Sequence, residues 1–233
     1  MSALLTVQDL HAWYGESHIL HGVSMNVQKG ETVCILGRNG MGKTTTLRSI
    51  MGIVRKRTGR IELGGRDLMA VPLHRTAQAG LGFVPEERGI FATLSVEENM
   101  MLPPVVAPGG MSLDEIYRLF PNLLERRNSP GTKLSGGEQQ MLAMARILRT
   151  GANVLLLDEP TEGLAPVIID AIGAVLRELK ARGMTVVLVE QNFRFASKVA
   201  DRFYVMDHGV MTHEFPVGEL DARMDMLHET LGV

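Results

Sequence analysis

The sequence predicts an α/β fold with a parallel-sheet core, an N-terminal antiparallel β-subdomain and a small helical subdomain. Three observations predict it: apolar runs of strand length, one strand–helix–strand pattern, and alternating segments near the N-terminus. The runs at residues 33–36, 154–157 and 186–189 are each bounded by charge or glycine. Continuous runs of this kind are typical of strands buried on both faces, as in a parallel sheet.

Residues 166–182 predict the helix of a βαβ unit. Pro166 stands at a first helical position, apolar residues recur at helical spacing between residues 169 and 179, and Gly183 ends the pattern. A strand-like segment at residues 185–190 follows directly. The short connections predict that the two flanking strands are parallel.

The N-terminal part has a different pattern. Residues 4–10, 19–27 and 60–63 alternate between apolar and polar and are separated by glycine-containing turns, which predicts an antiparallel sheet. A helical pattern broken by prolines and glycines begins at residue 94, so we expect a helical subdomain over about residues 94–150. Both subdomains are expected to belong to a single domain spanning residues 1–233.

Composition excludes several classes of protein. Of the 233 residues, 45% are hydrophobic and 21% are charged, which is typical of a folded chain rather than a disordered one. The formal charge of −2, from 24 basic and 26 acidic residues, offers no reason to expect a nucleic-acid partner. No secretory leader or membrane-spanning run is recognisable, and the single cysteine, Cys34, is expected to be a buried thiol.

Residues 37–44 carry the strongest functional signal. Their sequence, GRNGMGKT, matches GxxxxGK[ST] and lies between a predicted strand and a helical stretch. In such a loop, backbone N–H groups surround phosphate oxygens, the lysine neutralises phosphate charge, and the hydroxyl ligates magnesium. The predicted nucleotide-binding residues here are Gly37, Asn39, Gly40, Gly42, Lys43, Thr44 and Thr45.

Two carboxylates follow the apolar run at residues 154–157. Asp158 at a strand end is placed to ligate Mg²⁺ together with Thr44. Glu159, one residue further on, is expected to act as a general base toward water, with Lys43 as the second catalytic residue. A loop and an acidic strand of this kind also occur in kinases and GTPases, so these residues alone leave the class open.

The segment at residues 134–140, LSGGEQQ, separates these classes. A serine and successive glycine N–H groups at a helix N-terminus form a second anion site. The segment resembles the LSGGQ signature of ABC-type ATPases, with Glu138 at its last position. The resemblance implies the ABC ATPase fold, ATP and Mg²⁺ as cofactors, and nucleotide contacts from Ser135, Gly136, Gly137 and Glu138 to ATP on another subunit.

The resemblance extends along almost the whole chain. Tyr14 is similar to the aromatic residue that stacks on adenine, although Tyr-Gly is also an ordinary turn. Glu86 stands where most members have a glutamine that senses magnesium, so it is expected at the metal. Gln191 stands where a histidine contacts the γ-phosphate, so a catalytic role is implied. Ala165 replaces the usual aspartate of the D-loop.

With these departures the chain resembles one group within the family, the shorter ATP-binding subunit of importers for branched-chain and other hydrophobic amino acids. That resemblance implies a heterodimer with a second, different ATPase subunit, two membrane permease subunits and, indirectly, an extracytoplasmic solute-binding protein. The chain would then lie peripherally on the cytoplasmic face of the inner membrane. The alternative is a soluble ABC-type ATPase acting on nucleic acid or ribosomes.

A surface for the membrane partner is expected at residues 85–103. This segment connects the nucleotide site to the helical subdomain. Phe91, Leu94 and Val96 are candidates for the lining of an apolar groove, with a core role for any of them as the alternative.

Overall fold

The computed structural model describes residues 3–232, so Met1, Ser2 and Val233 of the predicted 1–233 domain lie outside the described residues. The strands are β1 (Leu5–Tyr14), β2 (Ser17–Val27), β3 (Thr32–Leu36), β4 (Lys56–Leu63), β5 (Arg66–Asp67), β6 (Leu81–Val84), β7 (Val154–Asp158), β8 (Thr185–Glu190), β9 (Arg202–Asp207) and β10 (Val210–Pro216). The α-helices are α1 (Lys43–Ile50), α2 (Leu73–Thr76), α3 (Val96–Met101), α4 (Leu113–Leu119), α5 (Pro121–Glu125), α6 (Gly136–Leu148), α7 (Pro166–Ala181), α8 (Phe193–Ala196) and α9 (Met224–Leu231). Within residues 3–232, no helix has both the length and the apolar content needed to cross a membrane.

A six-stranded sheet in the order β10-β9-β3-β8-β7-β6 forms the centre of the fold. The pairs β3–β8, β3–β9, β6–β7 and β7–β8 are parallel, and β10 runs antiparallel to β9. The predicted βαβ unit is β7-α7-β8. Strands β3, β7 and β8 are buried along their whole length, which confirms the parallel core that their apolar runs predict.

Successive residues of the central strands face two different cores. In β3, Val33 and Ile35 pack toward the antiparallel sheet and α1, whereas Cys34 and Leu36 pack toward the helical side. This two-sided burial is why the strands have no polar face. It also confirms Cys34 as a buried thiol, and burial raises the pKa of that thiol well above its usual range.

The second sheet has the order β2-β1-β4-β5, and its paired strands are antiparallel, as predicted. Its strands are longer than the sequence suggested, because β1 continues to Tyr14 past an irregularity between Val7 and Leu10. There Asp9 has a φ of 48°, which interrupts the alternation of side chains. Opposite it, Gly59 has a φ of 109°, and an added Cβ would lie 2.3 Å from the Asp9 carbonyl oxygen.

The helical region contains α3, α4, α5 and α6, with residues 102–112 outside any helix. Val96 is fully buried in the helical-side core, so of the two roles expected for it, groove lining or core, it has the core role. It is the first residue of α3 and directly follows the Ser95 cap. Phe91 is 51% exposed and Leu94 is half-buried, so both remain available at the surface.

Candidate functional site

The carboxyl ends of β3, β8 and β7, which are neighbours in the sheet, bring three loops together. The glycine-rich loop follows β3 and ends where α1 begins at Lys43. Gly42 caps α1 with a φ of 106°, and a Cβ on Gly37 would lie 2.6 Å from the Met206 carbonyl oxygen. Glycine is therefore required at Gly42 because of its backbone conformation, and at Gly37 because there is no space for a Cβ.

Lys43 is buried inside the loop. Its ammonium donates to the carbonyl oxygens of Gly37 at 2.8 Å and Arg38 at 3.1 Å, and it pairs with Glu159 Oε1 at 2.8 Å. A lysine has three N–H donors, and these contacts use all of them. A phosphate oxygen entering the loop would reach the ammonium by replacing one of the three acceptors.

Glu159 has a left-handed backbone, with a φ of 45°, directly after β7. Gln191, directly after β8, donates its amide to Glu159 Oε2 at 3.0 Å and to Asn39 Oδ1 at 2.6 Å. Burial opposes ionisation of Glu159, but the hydrogen bond and charge of Lys43 outweigh it, so the pKa of Glu159 is lowered. The group is therefore a carboxylate at neutral pH and can accept a proton.

Asp158 and Thr44 meet at the same edge. The Thr44 hydroxyl donates to Asp158 Oδ1 at 2.9 Å, whereas Asp158 Oδ2 is buried without a hydrogen-bond partner among residues 3–232. Burial raises the pKa of Asp158 to about 6. An orphaned carboxylate oxygen beside a hydroxyl fits a Mg²⁺ ligand pair.

A metal at this position would need further ligands from outside the chain. No group of three His, Cys, Asp or Glu side chains in the described residues could hold a metal ion. Mg²⁺ is usually held by one or two protein ligands, with phosphate oxygens and water completing its octahedron. The donor set of Thr44 and Asp158 is consistent with that arrangement.

A cleft of about 360 Å³ lies over the loop. Most of the predicted nucleotide and metal residues line it: Tyr14, Asn39, Gly40, Gly42, Lys43, Thr44, Thr45, Glu86 and Glu159. Ile19 and Glu162 also line it and were missed from the sequence. No motif marks Ile19, and the resemblance gives no role to Glu162, which lies in the D-loop segment. The pKa of Glu162 is raised by burial and by its hydrogen bond with Glu159.

The signature segment lies outside this cleft. Ser135 caps α6, its hydroxyl accepts the Glu138 N–H at 3.3 Å, and the Glu138 carboxylate accepts the Ser135 N–H at 2.8 Å. This reciprocal capping box is made possible by the glutamate that stands at the last signature position. A Cβ on Gly137 would lie 2.7 Å from Ile168 Cγ2, so α6 and α7 approach closely there.

Arg88 is a contact of the signature segment that the sequence did not reveal. It has a φ of 62°, and its guanidinium donates to Gln139 Oε1 at 3.0 Å. The preceding residue, Glu87, pairs with Arg48 of α1 at 2.7 Å. Two adjacent residues thus connect the helix after the glycine-rich loop with the helix after the signature.

The family of the chain follows from these motifs together with a direct comparison. The model of the family described as ABC transporter matches residues 20–162, which include the glycine-rich loop, the signature segment and the two acids at the end of β7. The chain belongs to the ABC transporter ATPase family. It is therefore an ATP-binding protein and an ATPase.

Two curated relatives cover most of this ABC ATPase. The high-affinity branched-chain amino acid transport ATP-binding protein BraG of Pseudomonas aeruginosa is 39% identical over 215 residues, covering 91% of this chain and 92% of the relative. The lipopolysaccharide export system ATP-binding protein LptB of Haemophilus influenzae is 34% identical over 213 residues, covering 89% and 88%. Both relatives are named as ATP-binding proteins of transport systems, but one system transports branched-chain amino acids and the other exports lipopolysaccharide.

Solved structures confirm the ABC ATPase fold. A nucleotide-free ATP-binding cassette from an ABC transporter matches with a TM-score of 0.85 at 23% identity, covering 100% of this chain and 99% of the other. A bacterial ABC transporter cassette solved as a dimer matches with a TM-score of 0.79 at 26% identity, covering 91% and 98%.

The predicted heterodimer with a second, different ATPase subunit is wrong. The relatives are ABC ATPase subunits of transporters, and they give no evidence for an ATPase partner of different sequence. A physical reason agrees with this, because the chain carries both the phosphate loop and the signature. Two copies of one chain contain every motif that a pair of sites needs. The names of the relatives give no support for the extracytoplasmic solute-binding protein either.

Proposed function

We propose that this ABC ATPase powers the import of branched-chain or other hydrophobic amino acids, acting with membrane permeases from the cytoplasmic face of the inner membrane. The observation that carries the proposal is the 39% identity to BraG over nearly the full length of both proteins. Lipopolysaccharide export is a second candidate, because LptB is 34% identical over a similar span.

Uptake and export assays separate the two transport functions. Cells lacking the chain would be complemented with wild type or with Glu159→Gln, and uptake of labelled leucine would be measured. Restoration by wild type alone supports amino-acid import. Restoration of lipopolysaccharide delivery to the cell surface, with leucine uptake unchanged, would instead support export.

In the proposed site, Lys43 and the loop N–H groups bind the phosphates, and Tyr14 stacks on the adenine base. Thr44 and Asp158 would hold Mg²⁺, and Glu86, an exposed residue that lines the cleft, would act at the metal. Bound Mg²⁺ would neutralise charge on the β- and γ-phosphates.

In this proposal Glu159 takes a proton from the water whose oxygen attacks the γ-phosphorus, and the bond from that phosphorus to ADP breaks. Gln191 orients the Glu159 carboxylate. The support is their mutual geometry: the Gln191 amide spans Glu159 and Asn39 at 3.0 and 2.6 Å. The amide thereby links the base to the glycine-rich loop.

Substitution of the base tests this assignment. Glu159→Gln should bind ATP but lower turnover by about 10²-fold or more, because the amide cannot accept the proton. Glu125→Gln is the control, since Glu125 is an exposed acid of α5 that does not line the cleft. Wild-type turnover in Glu159→Gln would refute the role of the base.

We further propose that Ser135, Gly136, Gly137 and Glu138 act on ATP held by a second copy of the chain. Two observations support this: these residues do not line the described cleft of their own chain, and a similar cassette is a dimer. Loss of ATP-dependent dimers in Ser135→Arg, with ATP binding retained, would support it. Unchanged dimerisation would contradict it.

The proposed permease surface is the segment at residues 85–103, supported by the exposure of Phe91. Cysteines introduced at Phe91 and Leu94 should cross-link to the permeases in the assembled transporter. Cross-links only near residues 221–232 would contradict the assignment.

A further inference from the structure

Glu190 is a buried acid to which the proposed chemistry gives no role. It is the last residue of β8, it is 3% exposed, and it immediately precedes Gln191. One carboxylate oxygen accepts the Thr161 backbone N–H at 3.2 Å and the Thr161 hydroxyl at 2.7 Å. The other accepts the Asn192 N–H at 3.4 Å.

This carboxylate is costly to keep inside the protein. Burial disfavours its ionised form and raises its pKa to about 7, ahead of the opposing effect of its hydrogen bonds, and the charge of Glu159 raises it further. Its three donors are neutral groups, so no formal cation in that set compensates the charge. The positions of the two residues that donate to it, Thr161 and Asn192, offer a reason why this unfavourable burial is kept.

The two partners of Glu190 flank the proposed catalytic groups. Thr161 lies two residues after Glu159, and Asn192 lies one residue after Gln191. The left-handed backbone of Glu159 is unfavourable for a residue with a side chain and persists only where neighbouring contacts hold it. One such contact is the hydrogen bond from the Glu159 N–H to the Val189 carbonyl oxygen at 3.0 Å. Glu190 supplies further contacts in both loops, to Thr161 after β7 and to Asn192 after β8.

We propose that Glu190 is a positioning residue that joins the loop after β7 to the loop after β8, keeping the Glu159 carboxylate within reach of the Gln191 amide. The inference rests on the proposed role of Glu159 as the base. Glu190 does not line the cleft over the glycine-rich loop. It lines a second cavity, of about 490 Å³, together with Thr161 and Asn192, and in this proposal it acts through those two residues.

Steady-state kinetics of the full chain with Mg²⁺ and ATP tests the proposal. Glu190→Ala should lower kcat about 10-fold and leave KM for ATP within about twofold, because the phosphate contacts of Lys43 are unaffected. Glu190→Gln retains a carbonyl oxygen that can accept from Thr161, so it should recover most of kcat. That conservative rescue would not follow from the loss of a charge.

A double-mutant cycle tests the contact itself. Thr161→Val removes the hydroxyl donor at similar volume and should lower kcat several-fold. Because both changes break one contact, the double variant should be no slower than Glu190→Ala alone. Additive losses would overturn the proposed link. If Glu190→Ala fails to fold, Thr161→Val compared with Glu190→Gln tests the contact in its place.

Thr185→Val is the matched control. Thr185 is a buried polar residue at the opposite end of the same strand, and its hydroxyl accepts the Gly30 N–H at 2.9 Å. The substitution should lower the melting temperature while leaving kcat unchanged. An equal fall of kcat in this control would show a general effect of destabilisation and would overturn the proposal.

The outcomes distinguish this inference from the proposed function. Wild-type kcat in folded Glu190→Ala, alongside a strong loss in Glu159→Gln, overturns the positioning role and leaves the base in place. Wild-type kcat in Glu159→Gln overturns both. A raised KM with unchanged kcat in Glu190→Ala also overturns the inference, because it would place Glu190 in nucleotide binding.

Discussion

The buried ion pair between Lys43 and Glu159 should make a measurable contribution to the stability of the nucleotide-free chain. The two charges are 2.8 Å apart, and their side chains are only 3% and 7% exposed. At an effective dielectric constant of about 20, the Coulomb attraction is about 6 kcal/mol before desolvation is subtracted. Lys43→Met removes the ammonium, keeps much of the apolar stem and leaves a buried carboxylate unpaired.

Breaking one half of such a pair costs about 3 kcal/mol or more, whereas replacing both halves is much cheaper. Lys43→Met should therefore lower the free energy of unfolding by about 3 kcal/mol, and Lys43→Met combined with Glu159→Gln should regain about 2 kcal/mol of it. The assay is urea unfolding at pH 7 in a chelator without nucleotide. A loss below about 1 kcal/mol in Lys43→Met, or no recovery in the double variant, would refute the reasoning.

The same pair has a defined pH signature. Because Lys43 lowers the pKa of Glu159 below its unfolded value, the pair stabilises the fold fully above the unfolded pKa. That contribution is lost as the pH falls through the lowered pKa of the folded state. The stability difference between wild type and Lys43→Met should accordingly shrink in acid, and a difference independent of pH would contradict the ion-pair explanation.

Three further perturbations test other parts of the site. Gly37→Ala would place a Cβ 2.6 Å from a carbonyl oxygen of β9, so it should weaken ATP binding at least about 10-fold, as measured by titration calorimetry. Gly218→Ala is the control: a Cβ there meets nothing within 4 Å, and this variant should bind ATP as wild type does. The pKa of Asp158 is raised to about 6, so its ionisation destabilises the fold as the pH rises from its unfolded pKa toward that value. Asp158→Asn should therefore raise the free energy of unfolding by about 3 kcal/mol at pH 8 and by little at pH 4, and an equal gain at both pH values would contradict this reasoning. Ser135→Ala and Ser112→Ala each remove a capping box and should each lower the free energy of unfolding by about 1 kcal/mol. Only Ser135→Ala should slow ATP turnover, and equal turnover in the two variants would show that Ser135 has no role in it.

Local sequence patterns predicted the parts of this protein whose structure depends on neighbours along the chain. The glycine-rich loop is one example, since backbone conformation and the start of α1 follow from GRNGMGKT itself. The buried strands β3, β7 and β8 are another, because continuous apolar runs have few alternatives to a doubly covered sheet. The family follows from the same short segments, since their motifs are contiguous.

Strand order and the contacts between loops depended on tertiary packing. β8 lies between β3 and β7, and this strand order brings Gln191 next to Glu159. It also brings Thr44 next to Asp158, which lies 114 residues further along the chain. β9 and β10 were not predicted, and Val96 proved to be core, because the direction of a side chain depends on where its helix packs.

Glu190 shows the physical reason for this division. In the sequence it is one acid at the end of an apolar strand, and the resemblance gives a role to its neighbour Gln191 but none to Glu190. Its burial and its bonds to Thr161 arise only when β7 and β8 pair side by side. Burial, pKa and hydrogen-bond partners are properties of the surroundings in space, and those surroundings come from segments distant in the chain.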